Sequence, residues 1–128
     1  AFASREESDY LPHNYEKNCV VYTGTHDNDT LCGWYKVLDP EDLKLSQKYM
    51  NNANTPKRQI HWDFIRLALA SVADLCIIPL QDYLGLGSEA RINTPSTLGN
   101  NWRWRMTQGC LTKELADQIR ELTTLYGR

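Results

Sequence analysis

The feature that most constrains this chain is a short apolar run that stops abruptly in a polar turn. Cys19, Val20, Val21 and Tyr22 lead directly into Thr23-Gly24-Thr25-His26-Asp27-Asn28-Asp29. β-Branched and aromatic residues in so short a run predict a strand, from about Asn18 to Tyr22. The run shows no polar alternation, the pattern of a strand buried on both faces in a parallel sheet flanked by helices. Polar groups just after such a strand sit at its carboxyl end, where open α/β sheets and (β/α)₈ barrels bind ligands. His26 and Asp27 are candidate site residues on placement alone.

Leu75-Cys76-Ile77-Ile78 repeats the design. Pro79 ends it, because proline cannot donate to a ladder. A long polar, glycine-rich loop is expected next, carrying Gln81, Asp82, Glu89, Arg91 and Asn93. Between the two runs the pattern is helical. Asp29 or Thr30 is placed to cap a short helix through Leu31, Trp34 and Tyr35. Asp39-Pro40-Glu41-Asp42 is a helix start, with a capping acid, proline in the first turn and acids near the positive end of the dipole. That helix runs through Leu43, Tyr49 and Met50 and ends in the Asn-rich segment before Pro56. Lys57 to Asp74 predicts a longer helix, with Ile60, Phe64, Leu67 and Ser71 on one face and Trp62, Ile65 and Leu69 widening it. Strand, helices, strand is a βαβ crossover, so the two strands should pair in parallel. A last helix is expected from Thr112 as N-cap, facing inward with Leu115, Ile119, Leu122 and Tyr126 and stopped by Gly127. Ala1 to Lys17 reads as loop.

The formal net charge of −2, with no Lys/Arg stripe, argues against a nucleic-acid or anionic-membrane partner. Asp74, Pro79 and Gln81 interrupt the apolar segments before any reaches membrane-spanning length. The start, AFASREESDY, shows no basic residues followed by an apolar core, so no signal peptide is visible, and it opens without Met as an internal piece would. The four cysteines, Cys19, Cys32, Cys76 and Cys110, have no CxxC spacing and read as small buried hydrophobes in a reducing compartment. A metal reading fails on spacing. Counted from Asp27, the fifth, sixth and twelfth positions of a calcium loop are Leu31, Cys32 and Leu38, and His13, His26 and His61 are scattered.

Thr23-Gly24-Thr25-His26-Asp27-Asn28-Asp29-Thr30 with Gly33-Trp34 resembles the TGTHDNDT…GW signature of the 4-α-glucanotransferases (amylomaltase or disproportionating enzyme, glycoside hydrolase family 77). Pro79-Leu80-Gln81-Asp82, then Leu86 to Pro95 and Gly99 to Arg105, resembles that family's second block. Leu11-Pro12-His13-Asn14 is similar to its LPHN loop. The resemblance covers nearly the whole chain and only the family's C-terminal part. Two parallel strands cannot close a sheet, and a (β/α)₈ barrel takes roughly 250 residues. The expected fold class is therefore α/β: residues 1–128 as the C-terminal segment of one (β/α)₈ TIM barrel, supplying its last two strands and flanking helices.

The resemblance implies a retaining transfer of an α-1,4-glucan segment to the 4-hydroxyl of an acceptor glucan or glucose. It implies no cofactor, and a nucleophile and acid/base upstream of residue 1, so these residues alone would be inactive. Asp27 would be a third acid, holding ring hydroxyls of the glucose at the cleavage point, with His26 hydrogen-bonding the same sugar. Asn93 matches a sugar-hydroxyl ligand, against the alternative of an Asx-turn. Gln81 and Asp82 could line the floor of the site or satisfy loop backbone. Glu89 and Arg91 could pair or support the loop. Trp34, Trp102 and Trp104 read as core rather than sugar-stacking, and Trp62 as core. Expected partners are an α-1,4-glucan and the rest of the barrel; the expected compartment is the cytoplasm, or the plastid stroma in a plant or alga. The alternatives are a non-catalytic carbohydrate-binding module and an α-amylase-like hydrolase.

Overall fold

A computed structural model describes residues 8–128; the expected loop at residues 1–7 and the reading of the extreme N-terminus lie outside the described residues. Strand β1 (Val20–Tyr22) and strand β2 (Leu75–Ile77) pair in parallel, Val20 opposite Leu75, Val21 opposite Cys76 and Tyr22 opposite Ile77. Between them run α1 (Leu31–Lys36), α2 (Pro40–Tyr49), a 3₁₀ turn at Lys57–Gln59 and α3 (Ile60–Ala70). After β2 come α4 (Leu80–Tyr83), a 3₁₀ turn at Ser88–Ala90 and α5 (Lys113–Leu125). The parallel α/β crossover is as expected.

The helix starts follow capping chemistry. Thr30 Oγ1 accepts from the Gly33 amide, Asp39 Oδ1 from the Glu41 amide and Thr112 Oγ1 from the Leu115 amide. Each satisfies an amide that the first turn leaves without a partner. Helix α3 is the hub, packed against α1, α4 and α5. It buries Ile60, His61, Trp62, Phe64, Ile65, Ala68 and Leu69, and with Leu11, Leu31 and Leu122 these form most of the core. The aromatic edge contact between Trp34 and Phe64, centroids 5.2 Å apart, places Trp34 at that core, as expected.

Four expectations change. Helix α3 ends at Ala70, four residues short of Asp74: Ser71 turns to an extended backbone and its hydroxyl donates to the Ala68 carbonyl, which frees the chain to enter β2. The segment after Pro79 is not simply loop, since α4 begins there, with proline at the N-cap. The strands are not covered on both faces by the described residues. Val21 is buried, but Val20, Tyr22, Leu75 and Ile77 are 42–52% exposed. A strand's side chains alternate between faces, and the helices supplied here cover only one. The four cysteines are unpaired and half-buried rather than buried. No helix among the described residues is long and apolar enough to cross a membrane.

Candidate functional site

The loop after β1 and the loop after β2 are stitched together side by side. Thr25 and Asn28 close a β-turn, the Asn28 amide reaching the Thr25 carbonyl at 3.2 Å while Asn28 Oδ1 accepts from the Thr25 amide and hydroxyl. His26 and Asp27 occupy the two central positions of that turn, so both side chains project from its tip. The side chains of His26 and Asp27 are 52% and 47% exposed.

Asn93, from the second loop, grips this tip twice. Its amide donates to the His26 carbonyl at 3.1 Å, and its Nδ2 donates to Asp27 Oδ1 at 2.7 Å. His26 Nε2 lies 3.3 Å from the same Oδ1. Asp27 Oδ2 has no hydrogen-bond partner among the described residues. One carboxylate oxygen is anchored, and the other carries no protein partner among the described residues. Arg91 supports the arrangement from behind, Nη2 donating to the Asp27 carbonyl and Nε to the Asn93 carbonyl. Of the two readings of Arg91, support of the loop is the one the geometry carries. Glu89 instead accepts from the Gly87 amide.

Gln81 and Asp82 do not reach this surface. They are 5% and 2% exposed. Gln81 Nε2 donates to the Ala90 carbonyl at 3.2 Å. Asp82 Oδ2 accepts from the Thr23 hydroxyl at 2.6 Å and Oδ1 from the Leu31 amide at 2.9 Å. Of the two readings of Gln81 and Asp82, these hydrogen bonds fit support of the loops: Gln81 holds loop backbone, and Asp82 holds a backbone amide and the Thr23 hydroxyl. Asp82 thereby clamps the two ends of the segment that carries His26 and Asp27. Burial pushes its carboxyl above the usual carboxylate range, and the Leu31 amide and Thr23 hydroxyl pull it part of the way back. A further tie runs from the Ser88 hydroxyl to Asp29 Oδ2 at 2.7 Å. The Asp29 carboxylate and Ser88 leave no room at Gly33, where an added Cβ would meet the Asp29 oxygens at 2.6 Å.

Within the described residues Trp102 lies outside the core that was expected to hold it. It is 58% exposed, and its ring centroid stands 5.0 Å from that of His26. Trp104 is half-buried, and Trp62 is in the core. The sequence contains no signal for the Thr23–Asp82 and Asp29–Ser88 ties, because each joins residues 59 positions apart. Among the described residues no three His, Cys, Asp or Glu side chains converge as a metal-ligand set. A cavity of about 900 Å³ runs along β1 and α3 and reaches the same loop, lined by Val20, Tyr22, Trp34 and Phe64 and also by Thr25, Asn28 and Asp29.

A family model described as 4-alpha-glucanotransferase matches residues 1–112. A 4-alpha-glucanotransferase of Clostridium butyricum is 49% identical over all of this chain and 26% of its own length. The chloroplastic/amyloplastic 4-alpha-glucanotransferase of Arabidopsis thaliana is 46% identical over all of this chain and 22% of its own. The solved amylomaltase of Streptococcus agalactiae, in complex with acarbose, superimposes with a TM-score of 0.88 at 36% identity, covering 95% of this chain and 24% of that one. The chain spans about a quarter of the length of the relatives it matches.

Proposed function

The chain belongs to the 4-alpha-glucanotransferase family, and from that premise we propose that it forms the last two β/α units of a (β/α)₈ barrel that passes α-1,4-glucan segments between chains. The observation that carries this reading is the half-anchored Asp27 carboxylate at the carboxyl end of a parallel strand, Oδ1 held by Asn93 and Oδ2 without a partner among the described residues. Retaining glycosyl transfer needs a nucleophile and an acid/base about 5 Å apart, and both would lie upstream of residue 1. Asp27 binds hydroxyls of the glucose at the cleavage point and offsets the positive charge that develops on its ring. That help is given mainly in the transition state. His26 and Asn93 hydrogen-bond neighbouring hydroxyls. Gln81 and Asp82 hold the loops from beneath. No cofactor takes part.

The face bearing Val20, Tyr22, Leu75 and Ile77 would be covered by the rest of the barrel. The donor is a maltooligosaccharide or longer α-1,4-glucan. The compartment is a plastid in a plant or alga, as the name of the Arabidopsis relative states for that protein, and the cytoplasm in a bacterium.

The test uses the full-length protein with maltotriose. Wild type releases glucose and makes longer oligomers; Asp27→Asn lowers turnover by about 10³-fold or more with an unchanged melting temperature. Near-normal turnover would remove Asp27 from the mechanism. Hydrolysis without lengthened products would favour the α-amylase-like reading. Residues 1–128 alone release no glucose.

A further inference from the structure

Trp102 has no part in the reading above, yet the chain holds it in an unusual way. Its φ is 60°, where a bulky L residue is a genuine outlier, and Ser96 and Asn100 in the same loop have φ values of 60° and 55°. Packing within the described residues does not account for it, because among them the side chain is 58% exposed. The loop is tied at its base by the Trp102 amide, which donates to the Ile92 carbonyl at 2.7 Å. Inside it, Asn101 Oδ1 accepts from the Thr94 amide and its Nδ2 donates to the Thr97 carbonyl. On the other side Arg105 Nη1 donates to the carbonyls of Trp102 and Trp104 at 3.3 and 2.8 Å. The left-handed backbone is thus held from both directions. What the strain delivers is an indole set against the His26 imidazole, centroids 5.0 Å apart and planes tilted by 32°, within the range of attractive aromatic pairs. Backbone strain persists where the surroundings over-determine it, and it clusters at functional sites.

We infer that Trp102 is a positioning residue: its strained backbone presses the indole against His26 and fixes the imidazole beside Asp27 Oδ1. This rests on the proposed role of the His26–Asp27 pair. His26 sits at the tip of an exposed turn, and among the described residues the other side chain against its ring is Asp27, at 3.3 Å. Without the indole the ring samples more rotamers, and a misplaced hydrogen-bonding group costs rate rather than fold.

The test compares kcat and KM for transfer from maltotriose in the full-length protein. Trp102→Gly removes the ring and relaxes the backbone, since glycine adopts positive φ freely. Expected is a loss of about tenfold in kcat, little change in KM, and a melting temperature that is unchanged or higher. Trp102→Phe keeps an aromatic face and restores most of the rate. In a His26→Gln background Trp102→Gly changes kcat by less than about twofold, because its effect runs through His26. Wild-type kcat in Trp102→Gly, or the same tenfold loss in both backgrounds, overturns the inference. Should the glycine variant not fold, Trp102→Leu in the same two backgrounds decides in the same way. Full turnover in Asp27→Asn sinks the site reading itself, whereas loss there with none at Trp102 sinks only this inference.

Discussion

Replacing Asp82 tests the stitched-loop architecture most directly. At 2% exposure its carboxylate accepts two hydrogen bonds, from the Thr23 hydroxyl at 2.6 Å and the Leu31 amide at 2.9 Å. A hydrogen bond to a charged group contributes about 1.5–3 kcal/mol. Two of them total about 3–6 kcal/mol, from which relief of the buried charge recovers about 1–2 kcal/mol. Asp82→Ala should therefore cost about 1–5 kcal/mol and leave the buried Leu31 amide without a partner. Asp82→Asn should cost less than about 1 kcal/mol, because Oδ1 still accepts from Leu31 and Nδ2 can donate to the Thr23 oxygen. Burial raises the folded-state pKa of Asp82. Wild type therefore gains stability as pH falls and loses that increment as pH rises through the raised value, a dependence that Asp82→Asn lacks. Denaturant unfolding of the full-length protein, with hydrogen exchange at the Leu31 amide, reads both effects. If the asparagine variant were as damaged as the alanine one, the charge itself would be at work and the clamp argument would fall. An unshifted alanine variant would show that the two bonds hold nothing.

Burial of His61 lowers its pKa, and its Nδ1 has no hydrogen-bond partner among the described residues. The unfolded chain therefore binds a proton more readily, so stability is full above about pH 6.5 and is lost as pH falls toward the lowered folded value. Melting temperatures between pH 7.5 and 5 should fall in wild type and fall less in His61→Gln. Arg128 donates to the Leu69 and Ser71 carbonyls at 2.8 Å each, tying the segment after α5 to the C-terminal end of α3. Arg128→Ala should lower stability by about 1–2 kcal/mol, seen as a shifted thermal melt, and Arg128→Lys should recover only part, since an ammonium lacks the planar fork.

Local rules were legible wherever neighbours in sequence are neighbours in space. Thr30, Asp39 and Thr112 cap their helices because a cap reaches an amide only two or three residues on. His26 and Asp27 could be placed at a strand end because β1 and the turn after it are contiguous. The family resemblance offered Asn93 as a sugar-hydroxyl ligand, but its bond to Asp27 was not legible, since 66 residues separate the two. The inward orientation of Asp82 and the exposure of Trp102 were not legible. A carboxylate after a strand can point at a ligand or at a backbone amide, and a tryptophan in a Trp-Arg-Trp run looks like core until its backbone angle is known.

The amino-acid order alone determined the alternation of strand and helix, the parallel pairing it compels and the carboxylate at a strand's end, because propensity, capping and turn chemistry act over a few residues. Only the tertiary structure decided which oxygen of Asp27 is anchored, which acid supports rather than faces the surface, and which tryptophan stands over His26. Those outcomes depend on two loops meeting across some sixty residues of intervening chain, where hydrogen-bond geometry and the burial of charge, not local preference, select the arrangement.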